Sequence, residues 1–553
     1  MARLYRDLRR VITARRPETI TLAVSGFILA ILNIPFWTLY LRAVAPHTAS
    51  EWLYVAATAA ALFLILNLAL TALAVRPVFR VLMAVLLPIT AAASYFMHEY
   101  GVVIDVNMVR NIFATNSAEA GDLFTIKMLL AVVLFGIAPA LTVWRLPWIP
   151  RTRREDTLAK LKVLAISLPL IILLLFPYWG NVLSLFRDHK ELQLTLTPSN
   201  YIGALSKFVH GKRLGASVAV AAFGDDARPS ARALARMRKS LFVIVVGETA
   251  RAGHFQLNGY PRPTNPELSK ITGLINYPNA FSCGTDTAQS VPCMFSGLGR
   301  DNFSNTKASA RENLLDILKR AGFDVIWREN QAGCKGVCDR VTSEVLTGLK
   351  HPTFYAQSEN YDEILIDGLE QRIAKLGRNT VIVMHMMGSH GPAYWKRYPE
   401  RFEVFKPVCQ ESQFSRCTRD EIINAYDNTI LYTDYVLGRL AAILGSATSH
   451  NVDAGMIYIS DHGESLGENN LYLHGMPYPI APDAQIHVPM TVWLSPEFEK
   501  SFAVDRGCLA GRAADKAGHD NLFHSVLGLL DVTTIVYNPV LDLFAPCRPK
   551  PAL

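Results

Sequence analysis

Five long apolar runs in the first third of the chain set the strongest constraint on its fold. They cover about 20–42, 53–75, 78–97, 123–146 and 160–180. Each is long enough to cross a bilayer as a helix of roughly 20 residues. Five such runs in succession with almost no internal charge are not typical of buried helices in a soluble core. The first run is too long for the apolar region of a signal peptide, and no small-residue cleavage site follows it. The sequence therefore predicts a five-helix membrane domain over 1–180.

The basic residues of the short loops predict how these spans are oriented. Six arginines lie before the first span, two lie between the second and third, and six basic residues lie around the loop between the fourth and fifth. The other two loops have one arginine each, Arg42 and Arg110. Because basic loops stay in the cytoplasm, we expect the N-terminus there and everything after 180 on the far side. The net charge of +8 suits anionic lipid, and no basic stripe interleaved with aromatics indicates nucleic acid.

The cysteines give an independent indication of compartment. All eight lie between 283 and 547, outside the membrane runs, and an even set in an exported domain is typical of disulfides. Their spacing favours the pairs Cys283–Cys293, Cys334–Cys338, Cys409–Cys417 and Cys508–Cys547. Zinc binding by Cys334 and Cys338 is the alternative, but no matching second pair follows. Cysteine usage and orientation both predict an oxidising compartment, the periplasm of a Gram-negative cell.

After residue 180 the composition becomes that of a soluble protein. Residues 181–240 are expected to form bridging helices and a linker, with an amphipathic helix near 201–210 and the linker at 224–231. Over 241–553, apolar strands alternate with amphipathic helices. Strands are predicted at 241–247, 323–328, 380–387, 455–460 and 488–494, and helices at 311–321, 361–376, 420–444 and 519–531. This alternation is typical of an α/β domain with a largely parallel sheet.

Residue types that bind metals follow two of the predicted strands. Glu248 follows 241–247, and Asp461 and His462 follow 455–460. Ligands of open α/β sheets lie beyond the carboxyl ends of the strands, so these side chains are expected to meet there. A divalent cation on a hydroxyl oxygen stabilises the alkoxide and makes it a nucleophile. Mixed oxygen and nitrogen donors favour zinc, with manganese as the next candidate.

The loop closed by Cys283 and Cys293 supplies the hydroxyl. Thr285, Thr287 and Ser290 are all candidates. A helix that begins near 287 would direct its positive N-terminal end at a phosphate, and a proline is tolerated in the first turns of a helix. This arrangement favours Thr287 over Ser290.

Three further polar residues lie in loops of the same domain. His390 and His474 are flanked by glycine and could protonate a leaving alkoxide, bind a substrate phosphate or hold a second metal ion. Lys335, between two cysteines, is a candidate donor to a phosphate.

Several motifs together resemble the lipid A phosphoethanolamine transferases, the group that includes the mobile colistin resistance enzymes. They are Val-Gly-Glu-Thr-Ala-Arg at 246–251, Leu-Asn-Gly-Tyr-Pro-Arg at 257–262, Ser-Cys-Gly-Thr-Asp-Thr-Ala at 282–288, Ser-Val-Pro-Cys-Met-Phe-Ser at 290–296, Met-Gly-Ser-His-Gly-Pro at 387–392 and Ser-Asp-His-Gly-Glu-Ser at 460–465. The resemblance covers essentially the whole chain. It implies five spans, a bridging segment and a sulfatase-like domain of the alkaline phosphatase superfamily.

The resemblance also implies roles for individual residues. Thr287 becomes modified with phosphoethanolamine, and the catalytic zinc is bound by Glu248, Thr287, Asp461 and His462. The substrate is contacted by Lys335, His390 and His474. The loop between the third and fourth spans resembles the segment that receives the donor head group, with Asn111, Thr115 and Glu119 at its positions. A carboxylate and neutral acceptors suit an ethanolamine ammonium.

The resulting hypothesis is a monomeric enzyme of the bacterial inner membrane with a periplasmic catalytic domain. It moves phosphoethanolamine from phosphatidylethanolamine to a lipid A phosphate through Thr287, which lowers the negative charge of the outer membrane and confers resistance to polymyxin and cationic peptides. One alternative is a glycerol-phosphate transferase of the same superfamily, against which the match at 111, 115 and 119 argues. A sulfatase would need an oxidisable cysteine followed by x-Pro/Ser-x-Arg, whereas Cys283 is followed by Gly-Thr-Asp-Thr. A non-catalytic lipid-binding membrane protein is disfavoured by the intact ligand set.

Overall fold

The chain divides into two compact units. The computed structural model describes residues 15–115, 117–149, 151–189, 191–215 and 220–549. One unit comprises Met1–Val106 and Phe124–Ser206, and the other comprises Asn107–Leu123 and Lys207–Leu553. The segment Asn107–Leu123, although it lies in the sequence between two membrane helices, therefore belongs with the C-terminal unit. Four of the six arginines on which the predicted orientation partly depends, Arg3, Arg6, Arg9 and Arg10, lie outside the described residues.

Apart from an isolated bridge between Arg15 and Trp148, the regular secondary structure described up to residue 215 is helical. Its helices are α1 Pro17–Phe27, α2 Ile34–Val44, α3 Ala49–Ala72, α4 Arg76–Tyr100, α5 Val106–Ala114, α6 Ser117–Leu123, α7 Ile126–Val132, α8 Ala138–Arg145, α9 Arg153–Leu175, α10 Trp179–Asp188, α11 Glu191–Thr195 and α12 Ser199–Gly215. Single π-helical turns, Ile28–Leu32 and Val133–Ile137, follow α1 and α7. Helices satisfy their own backbone hydrogen bonds, which is what an apolar segment in lipid requires.

Among the described residues, four helical stretches are long and apolar enough to cross a membrane. They are Ala49–Ala72, Arg76–Tyr100, Ile126–Arg145 and Arg153–Asp188. The first predicted span is instead a pair, Pro17–Leu32 and Ile34–Val44, bent by 65°. Counted as one broken span, the pair gives the five that the sequence predicts.

The bend in the first span lies at Asn33. The buried Asn33 amide donates to the carbonyl oxygens of Ile28 and Thr197, both at 3.0 Å. Its side-chain oxygen accepts from the Thr197 N–H at 2.8 Å. Pro35 lies in the first turn of α2, where a proline without an N–H begins a helix but does not continue one. These two residues end one helix and start the next, a break that apolar composition alone does not reveal.

An eight-stranded mixed sheet forms the centre of the C-terminal unit. The strands of this unit are β1 Arg228–Pro229, β2 Lys239–Gly247, β3 Ile275–Phe281, β4 Asp324–Glu329, β5 Thr342–Val345, β6 Tyr355–Ala356, β7 Glu359–Asn360, β8 Thr380–His385, β9 Val452–Ser460, β10 Ser465–Glu468, β11 Leu471–Leu473, β12 His487–Leu494, β13 Ala517–Gly518 and β14 Val532–Thr533. The order in the large sheet is β13-β3-β12-β9-β2-β8-β4-β5. Strand β12 is antiparallel to both neighbours and the other ladders are parallel.

Helices pack against this sheet and complete the α/β unit. They are α13 Ala231–Leu234, α14 Thr287–Ser296, α15 Asn305–Ser309, α16 Leu314–Arg320, α17 Leu369–Ala374, α18 Arg419–Ser446, α19 Asp483–Ile486, α20 Pro496–Phe502, α21 Arg506–Arg512 and α22 His519–Leu529. The predicted fold class, a helical membrane domain followed by an α/β domain, is confirmed. The helix predicted over 361–376 is shorter, since Gly368 takes φ +70° and separates α17 from a 3-10 turn at Asp362–Ile366.

The central strands were readily predicted because their side chains are apolar on both faces. Strands β2, β4, β8, β9 and β12 match the five predicted runs within a few residues. Strand β3 was missed because Pro278 and two asparagines interrupt its apolar pattern. The register between β3 and β12 shifts at that proline, between the Val488 and Met490 pairs. Strands β5 and β13 are too polar or too short to give a signal.

Two other features of the C-terminal unit concern its predicted connections. Residues 224–231, expected to be a linker, pair with the unit: Arg228 lies opposite Thr533, and Ala227 is buried in the core. All eight cysteines are oxidised, in the pairs Cys283–Cys293, Cys334–Cys338, Cys409–Cys417 and Cys508–Cys547.

Candidate metal centre and active site

The parallel pairing of β2 and β9 brings two acidic residues together. Gly247 is the register partner of Ser460, so Glu248 and Asp461 leave the sheet side by side. The Asp461 N–H donates to the Gly247 carbonyl at 2.9 Å. One Asp461 oxygen, Oδ1, accepts from the N–H groups of Thr249 and His462 at 3.1 and 2.8 Å. The sheet thus fixes the direction of the Asp461 carboxylate.

Thr287 is the first residue of α14 and points into the same cluster. Asp286 caps the helix by accepting from the Gln289 N–H at 3.0 Å. The Thr287 hydroxyl oxygen lies 3.1 and 3.3 Å from the two Glu248 carboxylate oxygens and 3.4 Å from His462 Nε2. The helix begins where the sequence predicts, and its N-terminal N–H groups offer positive charge to a phosphate at this position.

The acidic pair and His462 form a donor set that fits a divalent cation. Ligand atoms of Glu248, Asp461 and His462 all lie within 4.8 Å of one another. The three residues are at most 1% exposed. Asp461 Oδ2 is buried and has no hydrogen-bond partner among the described residues, although His462 Nε2 lies 3.4 Å away. A buried orphan carboxylate oxygen that faces a second carboxylate and an imidazole is costly unless a cation is shared between them.

The shifted pKa values of the two carboxyl groups also favour a bound cation. Burial, and then the neighbouring Glu248 charge, raise the pKa of Asp461 to about 6. Burial also opposes ionisation of Glu248, but the hydrogen bond and charge of His462 outweigh it and hold the Glu248 pKa below its ordinary value. Two carboxylates this close repel each other when both are ionised, which a bound divalent cation would relieve.

His474 lies beside the cluster and is oriented by a buried carboxylate. Its ring centroid is 4.2 Å from that of His462. Its Nδ1 is 2.8 Å from Glu464 Oε2, while Glu464 Oε1 accepts from the Tyr394 hydroxyl at 2.6 Å. The His390 ring centroid is 5.9 Å from that of His474. The structure therefore places His474 against His462 and His390 beside His474.

The loop that carries His390 is held by Asp362. Its carboxylate accepts from the N–H groups of Met387 and Gly388, both at 2.8 Å, and from Asn330 at 2.9 Å. Gly388 has φ +52°, and a Cβ there would lie 2.6 Å from the Glu248 carbonyl oxygen. Only glycine allows the loop to pass so close to Glu248 at the end of β2.

Lys335 lies in the turn that the Cys334–Cys338 disulfide closes. Its backbone is left-handed, with φ +53°, and its ammonium donates to the Ala332 carbonyl at 2.8 Å. That bond is within its own turn, so the described contacts do not join Lys335 to the cluster around Thr287.

The predicted head-group residues lie in the segment Asn107–Leu123. The Thr115 hydroxyl donates to the Asn111 carbonyl at 2.7 Å, one helical turn earlier. Glu119 belongs to α6, but its side chain lies outside the described residues.

Sequence reasoning assigned no role to Glu464, Tyr394 or Asp362. Glu464 had a usable signal, since it is the second carboxylate of the Asp-His-Gly-Glu motif at 461–464. Tyr394 and Asp362 are placed by tertiary packing, and nothing in their local sequence distinguishes them.

Comparison with known proteins finds two family models that match this chain. The model of the sulfatase family matches residues 240–532. A second model, described as phosphoethanolamine transferase EptA/EptB, matches residues 62–213. The two matches together cover most of the chain between residues 62 and 532, and the bent helix pair Pro17–Leu32 and Ile34–Val44 lies outside them.

Individual relatives match over most of their length. The phosphoethanolamine transferase EptA of Escherichia coli (strain K12) is 40% identical over 97% of this chain and 98% of its own. The phosphatidylethanolamine transferase Mcr-1 of Escherichia coli is 37% identical over 83% of this chain and 84% of its own.

A solved structure extends the similarity to the fold. The integral membrane lipooligosaccharide phosphoethanolamine transferase A of Neisseria meningitidis superposes with a TM-score of 0.92 at 34% identity, covering 96% of this chain and 98% of that one. Identity above 30% over nearly the whole length of several relatives, together with the shared fold, shows that this chain belongs to the lipid A phosphoethanolamine transferase family, as its motifs predicted.

Proposed function

We propose that this enzyme transfers phosphoethanolamine from phosphatidylethanolamine to a phosphate of lipid A, with Thr287 as the nucleophile. The observation that carries the proposal is the Thr287 hydroxyl, at a helix N-terminus and 3.1 Å from Glu248 in a buried cluster of metal-binding side chains. The choice of substrates is supported by the relatives, one named for phosphatidylethanolamine and one for lipooligosaccharide.

In the first half-reaction the Thr287 hydroxyl oxygen attacks the donor phosphorus. Glu248 is placed to take the hydroxyl proton, and the bond between phosphorus and the diacylglycerol oxygen breaks. His474, oriented by Glu464, is placed to protonate that leaving oxygen. The products are diacylglycerol and Thr287 esterified to phosphoethanolamine.

In the second half-reaction an oxygen of a lipid A phosphate attacks the same phosphorus. The Thr287–phosphorus bond breaks and Glu248 returns its proton to the Thr287 oxygen. His474 takes a proton from the hydroxyl of the attacking phosphate, so both groups are restored. The N-terminal N–H groups of α14 and the cation Lys335 are candidates to bind the phosphoryl oxygens while the charge shifts.

Glu248, Thr287, Asp461 and His462 would hold a zinc ion, which when bound favours the deprotonated hydroxyl and offsets charge on the phosphoryl oxygens. The donor set fits because it combines two carboxylates, an imidazole and a hydroxyl in a buried space. Binding of a second ion by His390 and His474 is the alternative role of this pair, and it would exclude proton donation by His474.

We further propose that the chain lies in the bacterial inner membrane, as a monomer, with a cytoplasmic N-terminus and a periplasmic catalytic unit. The four disulfides of that unit support an oxidising compartment. An added ethanolamine amine offsets negative charge on lipid A, so polymyxin and other cationic peptides would bind the outer membrane less.

The test is the intact mass of the purified, zinc-loaded full-length protein after incubation with phosphatidylethanolamine. Wild type and Thr285→Ala, a matched change in the same loop, should gain one phosphoethanolamine, whereas Thr287→Ala should gain none. An adduct that forms only with phosphatidylglycerol would replace the donor and favour the glycerol-phosphate alternative. No adduct with either lipid would contradict a covalent transfer.

A further inference from the structure

Asp122 and Arg397 form a buried ion pair between the segment Asn107–Leu123 and the loop of His390. Arg397 is 4% exposed and Asp122 is 8% exposed. Arg397 Nη2 donates to Asp122 Oδ2 at 3.3 Å, and Lys396 pairs with the other Asp122 oxygen. Asp122 is thus a carboxylate shared by two cations, and neither Asp122 nor Arg397 belongs to the cluster around Thr287.

The same guanidinium also holds the backbone of His390. Arg397 Nε donates to the His390 carbonyl oxygen at 2.7 Å, and Nη1 donates to Glu359. Each guanidinium nitrogen therefore bonds a different part of the chain. Because the guanidinium is planar and rigid, a shift of Asp122 would move the guanidinium and therefore the His390 carbonyl that it binds.

The other end of the segment is fastened to the nucleophile helix. Asn107 Nδ2 donates to the Gln289 side-chain oxygen at 3.1 Å, and Gln289 lies in the first turn of α14. Arg110 Nη1 donates in turn to Asn107 Oδ1 at 2.8 Å. A neutral contact beside Thr287 and a charged contact beside His390 thus hold the two ends of the segment.

The predicted head-group residues lie between these two anchors. Asn111 and Thr115 follow Asn107, and Glu119 precedes Asp122 by three residues in α6. A backbone segment held at both ends has less conformational freedom to lose when the donor binds. Removing the charged anchor would also leave the Arg397 charge buried and partly uncompensated.

We propose that Asp122 and Arg397 are positioning residues that hold the head-group segment and the His390 backbone in register for the donor. This inference rests on the proposed function, because it assigns the segment to the donor's ethanolamine. The proposal is that the Asp122 charge determines the affinity for the donor. The maximal rate of the chemical step at Thr287 does not depend on it.

The test compares Asp122→Asn with Glu344→Gln in the zinc-loaded full-length protein. Glu344 is a matched control, since it is also one carboxylate shared by two cations, Arg328 and Arg372, in the same unit. The first readout is the rate of adduct formation against phosphatidylethanolamine concentration. The second is hydrogen exchange of the amides in Asn107–Leu123.

For Asp122→Asn we expect the half-saturating donor concentration to rise about tenfold with a maximal rate within about threefold of wild type, the pattern of lost uniform binding. Exchange in the segment should become faster. Asp122→Glu, which keeps the charge, should recover most of the donor affinity, and Glu344→Gln should change neither readout. If Asp122→Asn does not accumulate, Lys396→Gln removes one of the two partners and should give a smaller change of the same sign.

If Asp122→Asn has the donor affinity and the hydrogen exchange of wild type, the proposal is wrong. It is also wrong if Glu344→Gln changes both readouts equally, because the Asp122–Arg397 pair would then contribute only to general stability. Absence of an adduct on wild type would instead contradict the proposed function. In that case the exchange comparison still decides whether Asp122 anchors the segment.

Discussion

Glu464 and His474 form a buried carboxylate–imidazole pair, with Glu464 Oε2 2.8 Å from His474 Nδ1. The second Glu464 oxygen is occupied by the Tyr394 hydroxyl at 2.6 Å, and Glu464 is fully buried. Because a carboxylate accepts and does not donate, one proton of His474 lies on Nδ1, between the ring and Glu464. The pair therefore fixes the ring direction, and Nε2 is the nitrogen that donates to the leaving oxygen when the ring is an imidazolium with a proton on each nitrogen.

Glu464→Gln should lower kcat for adduct formation by roughly 10- to 100-fold, the usual effect of losing a partner that orients an imidazole. The glutamine oxygen can still accept from His474, but the side chain has no negative charge to offset the imidazolium that donates the proton. The measurement is the initial rate of adduct formation at saturating phosphatidylethanolamine. Tyr394→Phe keeps the Glu464–His474 contact and should cost less. An unchanged kcat in Glu464→Gln would show that His474 needs no such orientation.

Removal of the metal should destabilise the catalytic unit as well as inactivate it. Glu248, Asp461 and His462 are buried together, and without a cation the carboxylates repel each other. At free zinc a hundredfold above Kd, binding adds about 3 kcal/mol to the free energy of unfolding. Chelation should therefore lower Tm, and zinc should restore it.

Asp461→Asn provides the control for that experiment. It removes one of the two carboxylate charges, so the chelator should shift its Tm less than it shifts the Tm of wild type. Equal shifts in the two proteins would mean that the stabilising ion lies elsewhere.

The parts of the site that could be predicted from sequence are those that follow apolar strands. Glu248 and Asp461 each follow a run of mostly buried aliphatic residues, so the strand end and the candidate ligand can be predicted from one stretch of sequence. Thr287 was also predictable, since it lies between two cysteines at the start of a helix.

The remaining features depend on contacts between residues far apart in the chain. Tyr394 and Glu464 are separated by 70 residues, and Asp122 and Arg397 by 275. The bend at Asn33 depends on Thr197, which lies 164 residues later. No local propensity or periodicity encodes such pairs, because each partner taken alone is an ordinary polar residue.

The disulfides should separate stability from activity. Cys508 and Cys547 are 39 residues apart, whereas Cys334 and Cys338 are 4 apart. From the loop entropy alone, the long link should stabilise by about 4 kcal/mol and the short one by about 2 kcal/mol. The short link also closes the turn in which Lys335 adopts φ +53°.

Replacing Cys334 and Cys338 by serine should therefore weaken donor binding with a modest loss of Tm. The same change at Cys508 and Cys547 should lower Tm more and leave donor affinity near that of wild type. Thermal unfolding and the donor dependence of adduct formation measure the two effects. A larger Tm loss from the short link would contradict the assignment.

His524 should make the catalytic unit less stable in mild acid. It is 5% exposed, and its Nδ1 accepts from the Asn538 N–H at 3.1 Å, which requires an unprotonated Nδ1. Burial lowers the pKa of His524 to about 4, below the value of about 6.5 expected in the unfolded chain.

Because the unfolded chain binds this proton first, the stability is complete above pH 6.5 and falls as the pH drops toward 4, by at most about 3 kcal/mol. In His524→Gln the side-chain oxygen can still accept from Asn538 but does not titrate. The measurement is the free energy of chemical unfolding of both proteins at about pH 7.5, 6, 5 and 4.5. It should decrease less in the variant than in wild type as the pH falls. If both lose stability in parallel over this range, His524 is not the group that senses the acid.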